Sequence, residues 1–307
     1  MSEFISMKNT SPAIVILGPT ASGKSSLAIE IARKFNGEII SVDSRQVYKG
    51  MDIGSGKVTK AEQKQAPHHL LDIVDPNTDY NVTDFLRDAK VAEEAIRAQG
   101  KTPIFCGGTG FWIQAYMESQ SFPGVKPNPE LRERLGKLSL EELFAMVKEK
   151  DPARAKTIDR KNPIRLIRAL EIIEVLGVVP PVDHVKIKNE NYQIFAISLD
   201  RYTHQGAIRK RMKDRFKEGM VQEVERLEKS GVSFKRLEAF GLEYKYIALF
   251  LQKKKKRADM EVELMRETNR YAKRQITWLR RMESLGWKIN WIKNSTEALS
   301  LLGKNAE

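Results

Sequence analysis

Ala13-Ile-Val-Ile-Leu-Gly-Pro-Thr-Ala-Ser-Gly-Lys-Ser25 decides how this chain is read. The apolar run Ala13 to Leu17 predicts a buried strand, and the spacing of Ser26 to Phe35 predicts a helix. The turn between them, Gly18, Pro19, Thr20, Ala21, Ser22, Gly23, Lys24 and Ser25, fits G-x-x-x-x-G-K-[ST]. Its glycines let the backbone wrap a phosphate with several N–H groups pointing inward. Lys24 supplies a cation, and the Ser25 hydroxyl can hold Mg²⁺. Such an ATP-binding type of loop predicts a di- or triphosphate ligand and leaves the reaction open.

Outward from the loop, strands alternate with helices. Glu38 to Val42 and His69 to Val74 predict the second and third strands. Thr83 to Gln99 reads as a helix with Thr83 as N-cap and Gly100 just past its end. Thr102 to Cys106 is a fourth strand, followed by Gly107-Gly-Thr-Gly110. That alternation implies a parallel α/β sheet flanked by helices, a P-loop NTPase-like core whose ligands sit at the carboxyl ends of the strands. From Glu130 to Leu176 the texture turns helical, and Gln193 to Leu199 returns to the sheet. The domains expected are therefore a core of 12–120 and 191–307 and a mainly helical insertion of 121–190. Arg201 to Arg281 is mostly helix, Lys253 to Arg257 an exposed basic loop, and Trp287 to Ile292 a last strand.

The 307 residues are 41% hydrophobic and 30% charged, which excludes a chain dominated by disorder. No apolar run is long enough to span a bilayer, and no secretory segment is recognisable, so a cytoplasmic protein without membrane contact is expected. Cys106 is the one cysteine, which excludes an internal disulfide framework and a cysteine-based zinc site. The net charge is +13, and its placement matters more than its size. Residues 1–200 hold 27 basic and 26 acidic side chains; residues 201–290 hold 24 and 12. A basic segment on a neutral body points to a polyanionic partner, although a solvated helical face would give the same count.

Other stretches offer chemistry. Asp43, in Ser41-Val-Asp-Ser-Arg-Gln-Val-Tyr48, falls at a strand tip beside the phosphate loop. There it can act as a general base, hold Mg²⁺ through water, or simply cap a loop or helix. Thr109 offers a hydroxyl after a glycine pair that otherwise makes only a tight turn. Arg211 and Arg215 stand one helical turn apart and suit a diphosphate by bidentate binding. His68 and His69 have no third ligand at a metal spacing and read as structural.

Taken in order, these stretches with Gly50-Met-Asp-Ile-Gly54, Pro67 to Pro76, Asn162-Pro-Ile-Arg-Leu-Ile-Arg-Ala-Leu-Glu171 and Tyr271-Ala-Lys-Arg-Gln-Ile-Thr-Trp278 resemble the tRNA dimethylallyltransferases, over residues 12–292. The resemblance implies transfer of a dimethylallyl group from dimethylallyl diphosphate to N6 of the adenosine at tRNA position 37, 3′ of the anticodon. The loop would then bind the donor's diphosphate and need not bind ATP. Asp43 would be the general base, and Thr109 would lie near the reacting centre and the bridging oxygen. Arg211, eight residues before Gly219-Met-Val-Gln-Glu-Val224, would be the catalytic arginine beside Lys24, with Arg215 binding diphosphate. Asp43, Ser44, Arg45, Gln46, Thr109, Arg132, Arg165, Leu166, Ile167 and Arg168 would contact tRNA, the insertion gripping the anticodon stem-loop. Mg²⁺ on Ser25 is the cofactor implied, and a monomer is expected.

Three features depart from the family pattern. Ser25 replaces the commoner Thr and keeps the hydroxyl. Phe240-Gly-Leu-Glu-Tyr244 stands where Ile-Gly-Tyr-x-Glu is frequent. A Cys/His zinc-finger extension is missing, which suggests a bacterial-type form. Competing readings are an adenylate isopentenyltransferase acting on free AMP, ADP or ATP, a P-loop ATPase or kinase, and a non-catalytic tRNA-binding protein.

Overall fold

The computed structural model describes residues 11–181 and 187–303. Six strands form one parallel sheet: β1 (Ala13–Leu17), β2 (Gly37–Val42), β3 (His68–His69), β4 (Thr102–Gly107), β5 (Tyr192–Ile197) and β6 (Ile289–Ile292), in the order β3-β2-β4-β1-β5-β6. The α/β class read from the sequence is the one observed. β1 is central and buried along its whole length, as a strand covered on both faces must be. Its side chains alternate between two cores. Ala13, Val15 and Leu17 join Ile40, Val42 and Phe105, covered by Phe85, Ala89 and Ile96 of the helix Val82–Ala98. Ile14 and Ile16 join Ile39, Ile104 and Phe195 under Leu27, Ala28 and Ile31 of the helix Lys24–Lys34. Each fully buried Ile or Phe contributes about 1.5–3 kcal/mol.

Several local expectations are corrected. The third strand covers His68–His69 rather than His69 to Val74, because Leu70 and Asp72 take positive φ (63° and 56°) and break the extension. Val74 rejoins only as a single bridge to Tyr48. The helix expected from Thr83 is capped by Asn81, whose side chain accepts from Thr83 N and forms a capping box with Asp84. The phosphate-loop helix starts at Lys24, two residues before Ser26. Trp287 is buried ahead of the last strand, donating Nε1 to Glu118 Oε1 at 3.2 Å. Lys253 to Lys256 does form the turn between the helices Leu242–Leu251 and Arg257–Ser284.

The chain divides into two compact units, Met1–Glu118 with Lys186–Glu307, and Ser119–Val185. The second unit is helical, with Leu131, Leu135, Leu143, Val147, Leu166 and Leu170 in a core of its own. Among its described residues, Asn128, Ser139, Asp151 and Asn162 cap four helices. Beneath its surface Glu171, 1% exposed, takes Arg132 Nε and Nη2 at 2.7 and 2.9 Å, Arg168 Nη1 at 3.2 Å and Asn128 N at 2.8 Å. A buried carboxylate is tolerable only with such partners, which also hold Glu171 below its ordinary pKa despite the opposing effect of burial. Among the described residues no helix is long and apolar enough to cross a membrane.

Candidate active site

Parallel strands end on one edge, and three of them deliver the site. β1 runs into the phosphate loop, whose Gly23 (φ 87°) precedes the helix Lys24–Lys34 in the left-handed region. No side chain caps that helix, so its first N–H groups and positive dipole end remain for an anion. Before it lies a recess of about 360 Å³, lined by Ala21 to Ser26 and, from the helix Arg201–Lys217, by Ala207, Lys210, Arg211 and Asp214. The Ser22 hydroxyl is buried and has no hydrogen-bond partner among the described residues, a deficit that a ligand oxygen would fill. Lys24 donates to Pro19 O at 2.7 Å. Desolvation pulls its pKa from 10.5 to about 8, opposed by Cys106 and Asp43 and reinforced by Arg211. Desolvation, then Arg215, brings Arg211 down to about 10, where it remains charged at neutral pH.

Thr20 is held at every polar atom. Its N–H donates to Gln275 Oε1 at 2.8 Å, its carbonyl lies 2.8 Å from His204 Nε2, and its hydroxyl accepts from Arg211. The catalytic arginine implied by the family pattern is therefore packed directly on the loop.

β2 delivers Asp43. Its Oδ1 accepts from Arg45 N at 2.8 Å and Gln46 N at 3.4 Å, while Oδ2 has no hydrogen bond among the described residues. The capping and the chemical readings of Asp43 are thus compatible, one oxygen serving each. Gln46 is tied inward by Ser41 Oγ and Gly56 O. β4 delivers Gly107-Gly108-Thr109. A Cβ on Gly107 would meet Val42 O at 2.0 Å, so only glycine passes there. Thr109 does not cap the helix Gly110–Met117 with its hydroxyl, which accepts instead from Ser44 N at 3.2 Å. The Asp43 and Thr109 loops are joined through that bond.

A second cavity of about 260 Å³ is lined by Thr20, Asp43, Ser44, Arg45, Gly54, Ser55, Arg215, Phe240 to Tyr244, Thr268 and Tyr271. Arg215 opens here and not into the phosphate recess. Its Nη1 donates to Gly54 O at 3.3 Å and to Glu243 at 3.2 Å, and a Cβ on Gly56 would strike its guanidinium. The segment that departs from the family pattern thus supplies the partner of Arg215, from Glu243. Tyr244 donates to Glu223 Oε1 at 2.9 Å, and Glu223 accepts the N–H groups of Asp52, Ile53 and Gly54. Glu223 of the Gly219 to Val224 pattern therefore shapes the Gly50 to Gly54 turn.

Of the residues expected to meet tRNA in the helical unit, Arg165 is exposed, Ile167 half-buried and Leu166 wholly buried. The Leu166 side chain serves the core, a correction to its expected tRNA contact. Arg132 and Arg168 hold Glu171. Sequence reasoning missed Gln275, His204, Glu223 and Glu243. Gln275, Glu223 and Glu243 lay within stretches singled out in the sequence, and nothing in those stretches disclosed their partners. His68 and His69 are structural: His68 Nδ1 meets Ala66 O and His69 Nε2 meets Glu38, at 2.8 and 2.6 Å.

An α/β core with a phosphate-binding type of loop, an acid, a hydroxyl and two half-buried cations at one sheet edge has the make-up of a protein that handles a phosphorylated ligand. The IPP transferase family model matches residues 46–282, and an isopentenyl transferase model matches residues 12–73. A tRNA dimethylallyltransferase 2 of Treponema denticola is 42% identical, over 94% of this chain and 98% of its own length. A tRNA dimethylallyltransferase 1 of Geotalea daltonii is 40% identical over 94% and 92%. Among solved structures, a tRNA isopentenylpyrophosphate transferase of Staphylococcus epidermidis superposes with a TM-score of 0.68 at 29% identity, over 96% of this chain and 99% of that one. A eukaryotic dimethylallyltransferase, described as acting on tRNA, gives 0.77 at 25%, over 96% and 77%. The chain belongs to the IPP transferase family of tRNA dimethylallyltransferases.

Proposed function

We propose that the chain transfers the dimethylallyl group of dimethylallyl diphosphate to N6 of the adenosine at tRNA position 37, giving N6-dimethylallyladenosine and diphosphate. One observation carries this reading: Thr20 lines the Asp43 cavity while Ala21 to Ser25 line the phosphate recess, so acceptor and donor sites meet within one loop. The N6–C1 bond forms as C1–O breaks, with the electron pair leaving on the diphosphate. Asp43 Oδ2 takes the N6 proton, which a weakly nucleophilic amine must shed as the bond forms. Lys24, Arg211 and the loop N–H groups stabilise the charge that gathers on the diphosphate. Thr109 donates its hydroxyl proton toward the bridging oxygen.

Mg²⁺ fits the residues present. Among the described residues no cluster of three or more His, Cys, Asp or Glu could hold a metal. A magnesium ion that keeps its waters needs little more than one protein oxygen and the substrate's phosphates, and Ser25 in the recess offers that oxygen. When bound, the ion would neutralise diphosphate charge.

The tRNA meets Ser44, Arg45 and Gln46 beside Asp43, and Arg132, Arg165, Ile167 and Arg168 on the helical unit, which grips the anticodon stem-loop. The enzyme works as a cytoplasmic monomer. A position-37 adenosine leaves its stack to reach the Asp43 cavity, at about a few kcal/mol. The test is label transfer from radiolabelled dimethylallyl diphosphate, with Mg²⁺, to unmodified tRNA and to AMP in parallel. Label on the adenosine beside the anticodon is expected; label on AMP alone would reassign the acceptor, and label on neither would remove the transferase reading.

A further inference from the structure

Besides Thr268 and Tyr271, which line the Asp43 cavity, the long helix Arg257–Ser284 brings to the site a side chain that no catalytic step uses. Gln275, 8% exposed, accepts from Thr20 N through Oε1 at 2.8 Å and donates through Nε2 to Gly108 O at 2.9 Å. The two partners fix the amide's orientation, because an N–H can only donate and a carbonyl can only accept. They belong to different loops: Thr20 to the one that holds the diphosphate, Gly108 to the one that carries Thr109. Gly108 is itself cut to fit, since a Cβ there would lie 2.3 Å from Gln275 Nε2.

We infer that Gln275 is a positioning residue for the transfer step, its carboxamide fixing the distance between the bound diphosphate and the Thr109 hydroxyl. The inference rests on the transferase reading above. Displacing one loop against the other by even an ångström misaligns the donor's bridging oxygen, and reactions of this kind lose rate steeply with such errors. An alanine leaves Thr20 N and Gly108 O unpaired. A glutamate carboxylate keeps the first bond but sets oxygen against oxygen at the second. Its protonated form restores both, and burial beside a carbonyl favours that form.

The full-length protein is assayed as wild type, Gln275→Ala and Gln275→Glu from pH 8.5 to 5.5. Gln275→Ala is expected to lower kcat at least tenfold while tRNA affinity changes less than twofold. Gln275→Glu is expected to start low at pH 8.5 and to climb relative to wild type as pH falls, since each proton gained restores the second bond. Hydrogen exchange at the Thr20 amide should quicken at least tenfold in Gln275→Ala, a readout that needs no turnover. A Gln275→Ala that keeps more than half of kcat, or a Gln275→Glu no faster than alanine at every pH, would overturn the inference. Should alanine fail to fold, a slow glutamate variant whose ratio to wild type ignores pH would overturn it alone. Wild-type protein that transfers no label, with Thr20 still protected by Gln275, would count against the transferase reading and leave the clamp standing.

Discussion

Arg211 and Arg215 lie one turn apart on one helix yet serve different cavities. Arg211 lines the phosphate recess and holds the Thr20 hydroxyl; Arg215 is spent on Gly54 and Glu243. Arg211→Ala is therefore expected to slow kcat for transfer by a factor of about 10² or more, the scale of losing one donor to developing charge. Arg215→Ala should instead reduce stability, because it strands Glu243, and should cost kcat less. Single-turnover rates alongside urea midpoints separate the two, and the reverse order would exchange their roles. Lys24 gives a pH prediction. Its folded pKa, about 8, lies below the free value of 10.5, so the charged form predominates only below about pH 8. The KM for dimethylallyl diphosphate should be low and flat below that point and rise above it as the ammonium discharges. A KM unchanged from pH 7 to 9.5 would show that the loop amides and Arg211 hold the donor without Lys24.

At the scale of elements, the turn Gly50 to Gly54 is built by a side chain from another part of the chain. Glu223, 2% exposed, accepts three backbone N–H groups and the Tyr244 hydroxyl. Glu223→Ala is expected to cost about 3 kcal/mol, since unpaired buried donors cost about 1–3 kcal/mol each and some will recover water. A urea midpoint lowered at constant m-value is the expected result, and an unmoved midpoint would contradict the account. Much of this site was legible in sequence because its parts are contiguous. The phosphate loop, Asp43 and the Gly107 to Thr109 turn each end a strand, and a parallel sheet must deliver strand ends to one edge. What escaped reading depends on pairing across distance: Thr20 with Gln275, Arg215 with Glu243, Glu223 with Gly54. Periodicity also overran at His69 to Val74, where positive φ at Leu70 and Asp72 ends a run that looks extended. The cap at Asn81 was readable, since Asn81-Val-Thr-Asp84 carries the box spacing, whereas Thr83 offered only a plausible residue type.

For the whole molecule, charge is the organising fact. The segment 201–290 carries 24 basic against 12 acidic side chains. On the long helix, Lys273, Arg274 and Arg281 line one groove with Arg270, Thr277 and Trp278. If such groups meet tRNA phosphates, affinity must fall on a log–log plot against salt, by about 0.7–0.9 per phosphate neutralised. A slope of at least about −4 between 50 and 300 mM KCl is expected by filter binding. A shallow slope would assign tRNA affinity to base contacts instead.

The three hydrogen bonds on Thr20 also bear on how the protein is made. The loop leaves the ribosome before its partners Arg211, His204 and Gln275, which follow up to 255 residues later. β5 and β6, which complete the sheet beside β1, come from the C-terminal half as well. A nascent chain stopped short of residue 275 therefore displays the phosphate-binding sequence without the conformation that gives it meaning. Donor capture is deferred until residue 275 has been made, and a split protein should regain it only when the trailing fragment is supplied.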